Sequence, residues 1–440
     1  MIDIISSGLV SVWLEMAGVN QEGLNASVLE DLETELSQVV FPQQPDPVAE
    51  AVVQQYLNRL SAKGLSKDIQ GVWVQSSWVP LAKNSGTTPL PAASLTKVAT
   101  SLASLQVWSP EHRFETLIGV TGPIVGGVVQ GDLVITGNGD PFFIWEEAIA
   151  LGNTLNQMGI RGVAGNLIIA GNFYMNYEVD PLKVGELLKQ AFNSASWNEE
   201  IIYQHSRMTP GTAKPQVVIA GTVVSQLGGV NSTLIIRHQS LALAEIIKQM
   251  NIYSNNLMAE ILAANVGGAA RVRQLAAQAA GVSIDEIRLI NGSGLEPENQ
   301  ISPRAVVGMF MALARYLQQT NITVADLFPI SGIDTQGTLE DRKIPVYSPV
   351  KTGTLSDVSA LAGVLPTRDR GLVWFAIINR GTDLDGLRAD QDLLLQQLVS
   401  QWGSPNTLPE LIQPHIDSHH PGIGDPNRNQ ILVQTVAPSS

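Results

Sequence analysis

The chain has 440 residues, enough for two or three domains, and its 44% hydrophobic content fits a globular protein. A formal net charge of −14 at pH 7 argues against nucleic acid and anionic lipid surfaces, since both need a basic face. With no cysteine there is no disulfide framework, no thiolate nucleophile and no cysteine-held metal.

Residues 4–18 are mostly apolar, but Asp3 and Glu15 bracket the run and no Lys or Arg precedes Arg59. That is a poor match to a secretory signal, which starts with basic residues, and it is too short and too charged to span a bilayer. Residues 1–46 read as an acidic segment, with a short helix over 26–39 followed by an extended linker rich in Pro and Gln. Helical spacing after Asp46-Pro47 predicts a helix over 47–61. Alternation over 70–75 predicts a strand, with a hairpin partner at 78–81. A helix is expected to start near Ser94, with Val98, Leu102 and Leu105 as its apolar stripe.

From 110 to 233, short β-rich runs are broken by Gly, which predicts an inserted β-rich domain with two helices, near 144–158 and 181–194. After 240 the chain turns helical, over 241–250, 255–266, 271–282 and 302–319. Strands return at 358–365 and 371–379 before a last helix at 386–402. The catalytic part is therefore expected to comprise 47–109 and 234–402, and 403–440 to be an extended or disordered tail.

Three motifs carry chemistry. Residues 94–97 read S-L-T-K, 254–256 read S-N-N and 351–353 read K-T-G. Each alone is a common tripeptide or tetrapeptide; their order in one chain is not. Ser94 needs a base to act as a nucleophile, and Lys97 lies one helical turn away. An ordinary lysine is too basic for that task, so burial or a nearby cation, with Lys351 available, must lower its pKa. Ser254 can relay a proton, and the Asn256 amide can hold either a substrate carbonyl or the Lys97 head. Lys351, Thr352 and Thr354 form a receptor for a carboxylate, and side-chain-free Gly353 lets a substrate lie along the strand. Backbone N–H groups of Ser94 and Thr354 are candidates for an oxyanion hole. Asp140-Pro141 and Asn291–Gly294 read as tight turns. His112, His205 and His238 share no local motif, and HIDSHH at 415–420 is better read as polar tail than as a metal chelator.

With these residues in place, the chain resembles the class C penicillin-binding D-alanyl-D-alanine carboxypeptidase/endopeptidases of the penicillin-binding-protein-4 type. PAASLTKVATSLASL is similar to that family's active-site helix, and LVITGNGDP to its Gly-Gly-Asp-Pro loop, with Asn138 replacing one Gly. HQSLALAEIIKQMNIYSNNLMAE, INGSGLEPENQISPR and VKTGTLSDVSALAGVL are also close. Two departures stand out. The 160-residue interval from Ser94 to Ser254 is short for the family, and Asn255 stands where many relatives carry Asp.

The resemblance implies an α+β fold of the serine β-lactamase/transpeptidase type, an antiparallel sheet flanked by helices with the β-rich insertion between the first two motifs. It implies a bacterial periplasmic or envelope enzyme that removes the terminal D-Ala from peptidoglycan stem peptides, with D,D-endopeptidase activity a further expectation. The reaction passes through an ester on Ser94, needs no metal or organic cofactor, and is blocked by β-lactams. The rival readings are a β-lactamase or esterase on the same scaffold and a non-catalytic peptidoglycan-binding protein; the complete set of Ser94, Lys97, Ser254, Asn256 and Lys351 favours the enzyme.

Overall fold

Asp46 accepts from the backbone N–H groups of Val48 and Ala49, and Pro47 supplies a preset first helical residue, so helix α1 (Pro47–Ala62) starts where the sequence indicates. It buries Ala49, Val52, Val53, Tyr56, Leu57 and Leu60. The computed structural model describes residues 46–76, 79–226, 228–416 and 422–433. The helix expected over 26–39 and the apolar run at 4–18 lie outside the described residues.

Strands β1 (Gly71–Gln75) and β2 (Pro80–Asn84) follow, then helix α2 (Thr96–Val107). The inserted segment runs through β3 (Glu115–Val120), β4 (Leu133–Asn138), α3 (Trp145–Gln157), β5 (Leu167–Asn172), α4 (Pro181–Phe192), α5 (Glu199–Arg207), β6 (Val223–Gln226) and β7 (Thr233–Gln239). The chain continues through α6 (Leu243–Tyr253), α7 (Asn256–Val266), α8 (Ala269–Ala280) and α9 (Pro303–Leu317). It closes with β8 (Val350–Leu355), β9 (Val358–Thr367), β10 (Gly371–Arg380), α10 (Leu384–Trp402) and β11 (Asn429–Ile431).

One five-stranded antiparallel sheet, ordered β8-β9-β10-β1-β2, joins strands from before Ser94 to strands from the third motif onward. All ten residues of β9 are buried, because both sheet faces are covered. The period-two alternation divides them between two cores. Val358, Ala360, Ala362 and Val364 face the core that holds α2, α8 and α9, while Leu361 and Leu365 face the core of α1 and α10. From Thr96 to Leu105 helix α2 is buried on every side, so its small residues Ala99, Ser101, Ala103 and Ser104 let neighbouring elements approach closely.

The insertion has its own core, from Ile118 to Ile236, around a six-stranded sheet ordered β6-β5-β4-β3-β7-β11. The β4-β5 and β5-β6 pairs are parallel, since helical crossovers α3 and α4–α5 separate them. Helix α5 had no clear signal in the sequence: its mean polarity is high and only Ile201 is buried. Two expectations change. Residues 234–239 were assigned to the catalytic part, but β7 pairs with β3 and closes the inserted sheet. The stretch from 403 was expected to be an extended or disordered tail, yet β11 adds to the edge of β7, with His238 opposite Asn429. Residues 417–421 and 434–440 lie outside the described set.

Candidate active site

The first motif sits at a tight turn, not at a regular helix start. Ala93–Leu95 is a 3-10 turn, and α2 begins at Thr96. Ala93 has φ of +48°, a left-handed conformation that costs a non-glycine residue free energy and that clusters at functional sites. The next residue, Ser94, is half-buried, while Lys97 is fully buried. The Lys97 ammonium donates to Ser94 Oγ at 2.9 Å, to Asn256 Oδ1 at 2.7 Å and to the Ser293 carbonyl at 2.9 Å. Its three donors are therefore all used, which fixes it on the serine hydroxyl.

The second motif supplies one of these partners, Asn256, from the junction of two helices. Ser254 ends α6 in the left-handed region at φ +52°, and Asn255 caps α7 by accepting from the Met258 N–H at 3.0 Å. Capping thus falls to the central residue, which frees Ser254 and Asn256 for the site. The sequence left two roles open for Asn256; in the structure it holds the Lys97 head.

The third motif lies on edge strand β8. Lys351 is fully buried and donates to Ser254 Oγ at 3.1 Å and to the Thr352 carbonyl at 2.8 Å. This corrects one expectation: the Lys351 ammonium faces the Ser254 hydroxyl and is not exposed to serve as the cation for a carboxylate. Gly353 also has a packing role. A Cβ there would stand 3.0 Å from the Ala92 carbonyl oxygen and 3.1 Å from the Ser94 nitrogen, so the missing side chain lets β8 press against the nucleophile turn. Thr352 is nearly buried, and Thr354 is exposed and accepts from Arg388 at 3.2 Å.

Electrostatics follow from burial. Burial pulls the Lys97 pKa from its ordinary value of 10.5 down to about 7, opposed by the negative Glu260. Burial also lowers Lys351, and the nearby Lys97 charge lowers it further. The sequence allowed burial or a second lysine to tune Lys97; burial is the leading cause.

Two groups escaped the sequence reading. Glu260 accepts from the N–H groups of Gly292 (3.0 Å) and Ser293 (2.9 Å), and so holds the carbonyl that Lys97 binds. Its signal was available, since it stands one α7 turn after Asn256 on the same helical face. The Asn291–Gly294 turn is the other. Gly294 has φ of +82°, and a Cβ on it would meet the Ala93 carbonyl oxygen at 1.9 Å. What read as a plain turn packs directly beneath the nucleophile.

Five polar side chains from three separated motifs thus form two hydrogen-bonded groups: Ser94, Lys97 and Asn256 in one, Ser254 and Lys351 in the other, with the Lys97 charge acting on Lys351. The chain is 24% identical over 348 residues to carboxypeptidase DacB of Mycolicibacterium smegmatis, covering 68% of this chain and 74% of the relative. It is 22% identical over 390 residues to D-alanyl-D-alanine carboxypeptidase DacB of Haemophilus influenzae, covering 66% and 80%. The fold matches the penicillin G-acylated Bd3459 predatory endopeptidase of Bdellovibrio bacteriovorus at a TM-score of 0.65 and 20% identity, over 78% of this chain and 95% of the other. It also matches penicillin binding protein 4 of Haemophilus influenzae at 0.60 and 18%, over 80% and 99%. The model of the D-Ala-D-Ala carboxypeptidase 3 (S13) family covers residues 53–181 and 186–399, which include all three motifs and most of the insertion, and the chain belongs to that family.

Proposed function

We propose that the protein is a serine D-Ala-D-Ala carboxypeptidase that acts on peptidoglycan stem peptides through an acyl-enzyme on Ser94, in the bacterial periplasm or cell envelope. The observation that carries this reading is the bond from the buried Lys97 to Ser94 Oγ, with the Lys97 pKa drawn to about 7. An amine with that pKa is half neutral near pH 7 and can accept the hydroxyl proton as the Ser94 oxygen attacks. The attacked carbonyl is that of the penultimate D-Ala. Backbone N–H groups of Ser94 and Thr354 are the candidate donors to its oxyanion.

When the C–N bond breaks, the departing D-Ala amine needs a proton. Ser254, hydrogen-bonded to Lys351, delivers it and is reprotonated at the expense of the proton that Lys97 took from Ser94, which leaves Lys97 neutral again. Water then hydrolyses the Ser94 ester: Lys97, neutral again, takes a proton from the attacking water and returns it to Ser94 Oγ as the ester C–O bond breaks. A β-lactam follows the first half of this course: its ring amide opens to an ester on Ser94, and the lactam nitrogen takes the proton but stays tethered. Among the described residues no helix is long and apolar enough to cross a membrane.

The test is intact-mass analysis after incubation with benzylpenicillin, followed by peptide mapping, beside an assay of D-Ala release from a stem pentapeptide. One adduct on Ser94, lost in Ser94→Ala, with release of D-Ala, is the expected result. An adduct that persists in Ser94→Ala refutes the assignment of the nucleophile.

A further inference from the structure

Between β5 and α4 the insertion makes a tight turn that no step of the reaction above uses. Met175 and Glu178 pair across it, and the two residues at its tip, Asn176 and Tyr177, have φ of +48° and +66°. Two consecutive left-handed residues, neither of them glycine, cost free energy, and such strain clusters where a fold holds a residue for a function. The turn is tied down on the insertion side. Asn176 Oδ1 accepts from the Trp145 N–H at 3.0 Å, and the Asn176 N–H donates to the Phe143 carbonyl at 2.9 Å. Tyr177 points the other way and packs against the core that holds α2, α8 and α9.

There its hydroxyl meets the second motif. Burial pushes the Tyr177 pKa up to about 12, so the hydroxyl stays protonated; the charges of Glu146 and Tyr253 add to this, and a hydrogen bond from the Asn255 side chain opposes it. Asn255 can serve two partners at once. Its Oδ1 takes the Met258 N–H at the start of α7, and its Nδ2 hydrogens remain to donate to Tyr177 Oη. A carboxylate at 255 would cap α7 as well, but it has no hydrogen to donate and would face the hydroxyl beside Glu146. Ser254, one residue before, is itself left-handed at φ +52° and is bonded to Lys351. The direction of its hydroxyl therefore depends on how firmly the residue after it is held.

We infer that Tyr177 is a positioning residue for proton delivery to the leaving group: from the strained turn of the insertion it holds the Asn255 amide, and through it the Ser254 hydroxyl. The insertion thereby braces the second motif of the catalytic part.

This inference rests on the acyl-enzyme reading with Ser254 as the donor, and the experiment separates the two. When the C–N bond of a peptide breaks, the amine must receive a proton; when the C–S bond of a thioester breaks, the thiolate leaves without one. A stem pentapeptide is compared with the same peptide carrying thioglycolate, in thioester linkage, in place of the terminal D-Ala. The quantity read is kcat/KM, which reports the path up to acylation. The proteins are wild type, Tyr177→Phe, Asn255→Ser and the double variant, with folding followed by circular dichroism and the wild-type Ser94 adduct by intact mass. Serine at 255 keeps a cap for α7 but has no amide to offer Tyr177. Each single variant should lose about tenfold on the peptide, the scale of one hydrogen bond, and stay within about twofold on the thioester. The double variant should be no slower than the slower single one, because both changes remove the same contact. Equal losses on the two substrates would make Tyr177 a packing residue and overturn the inference. So would an unchanged peptide rate in Tyr177→Phe, or losses that multiply in the double variant. Absence of both the Ser94 adduct and D-Ala release in wild type overturns the acyl-enzyme reading and this inference with it.

Discussion

At the scale of single residues, the site runs on one amine kept uncharged enough to act as a base. Full burial lowers the Lys97 pKa to about 7, so the neutral fraction grows as pH rises through 7. The rate constant for acylation by benzylpenicillin should therefore climb with pH around 7 and level off above it, as read by stopped-flow over pH 5–9. Lys97→Arg, which keeps the charge but cannot give up its proton, should abolish acylation at every pH. Glu260 raises the Lys97 pKa by its charge. Glu260→Gln should accordingly move the rising limb to lower pH. A limb that stays in place would mean that Glu260 acts only through its bonds to Gly292 and Ser293.

At the scale of elements, the site depends on backbone turns whose geometry leaves no room for side chains. Gly294 combines φ of +82° with a Cβ position 1.9 Å from the Ala93 carbonyl oxygen. Gly294→Ala must push the turn away from Ala93 and Ser94. A misplacement of about 1 Å at reacting atoms costs on the order of a hundredfold in rate. The acylation rate constant should fall by about that factor while circular dichroism stays native. The three motifs were legible because each is a short local string, and so was the helical or strand character of most segments, because apolar periodicity is local too. The turn at Asn291–Gly294 was legible as a turn but not as part of the site, since only packing puts it under Ser94. Gly353 was singled out for its bare edge, and the fold adds a second reason: a side chain there would meet the Ala92–Ser94 backbone.

At the scale of the whole molecule, the segment after 421 fastens itself to the insertion. Strand β11 pairs with β7, and Arg428, nearly buried, forms an ion pair with fully buried Glu147. Glu147 also accepts from the Gly424 N–H at 2.9 Å. Removing one partner of a buried pair leaves an uncompensated charge, a loss of about 3–5 kcal/mol. Arg428→Ala should lower stability by that order in urea unfolding. It should also make residues 422–433 more sensitive to proteolysis, and leave the Ser94 adduct intact, since no bond of the site involves Arg428.

By itself the sequence determined the motif residues, the order of helices and strands and the family resemblance, all of which are written in short-range pattern. It also indicated that a separate segment lies between the first two motifs, because the run of Gly-broken β-rich stretches there has a texture unlike its flanks. Tertiary structure alone decided which lysine is the base and which is a buried partner of Ser254, because a pKa depends on what surrounds the amine. It decided that residues 234–239 and 429–431 complete the inserted sheet, because strand pairing joins residues almost two hundred positions apart. And it brought Arg388 to Thr354, a contact across 34 residues that no local spacing encodes.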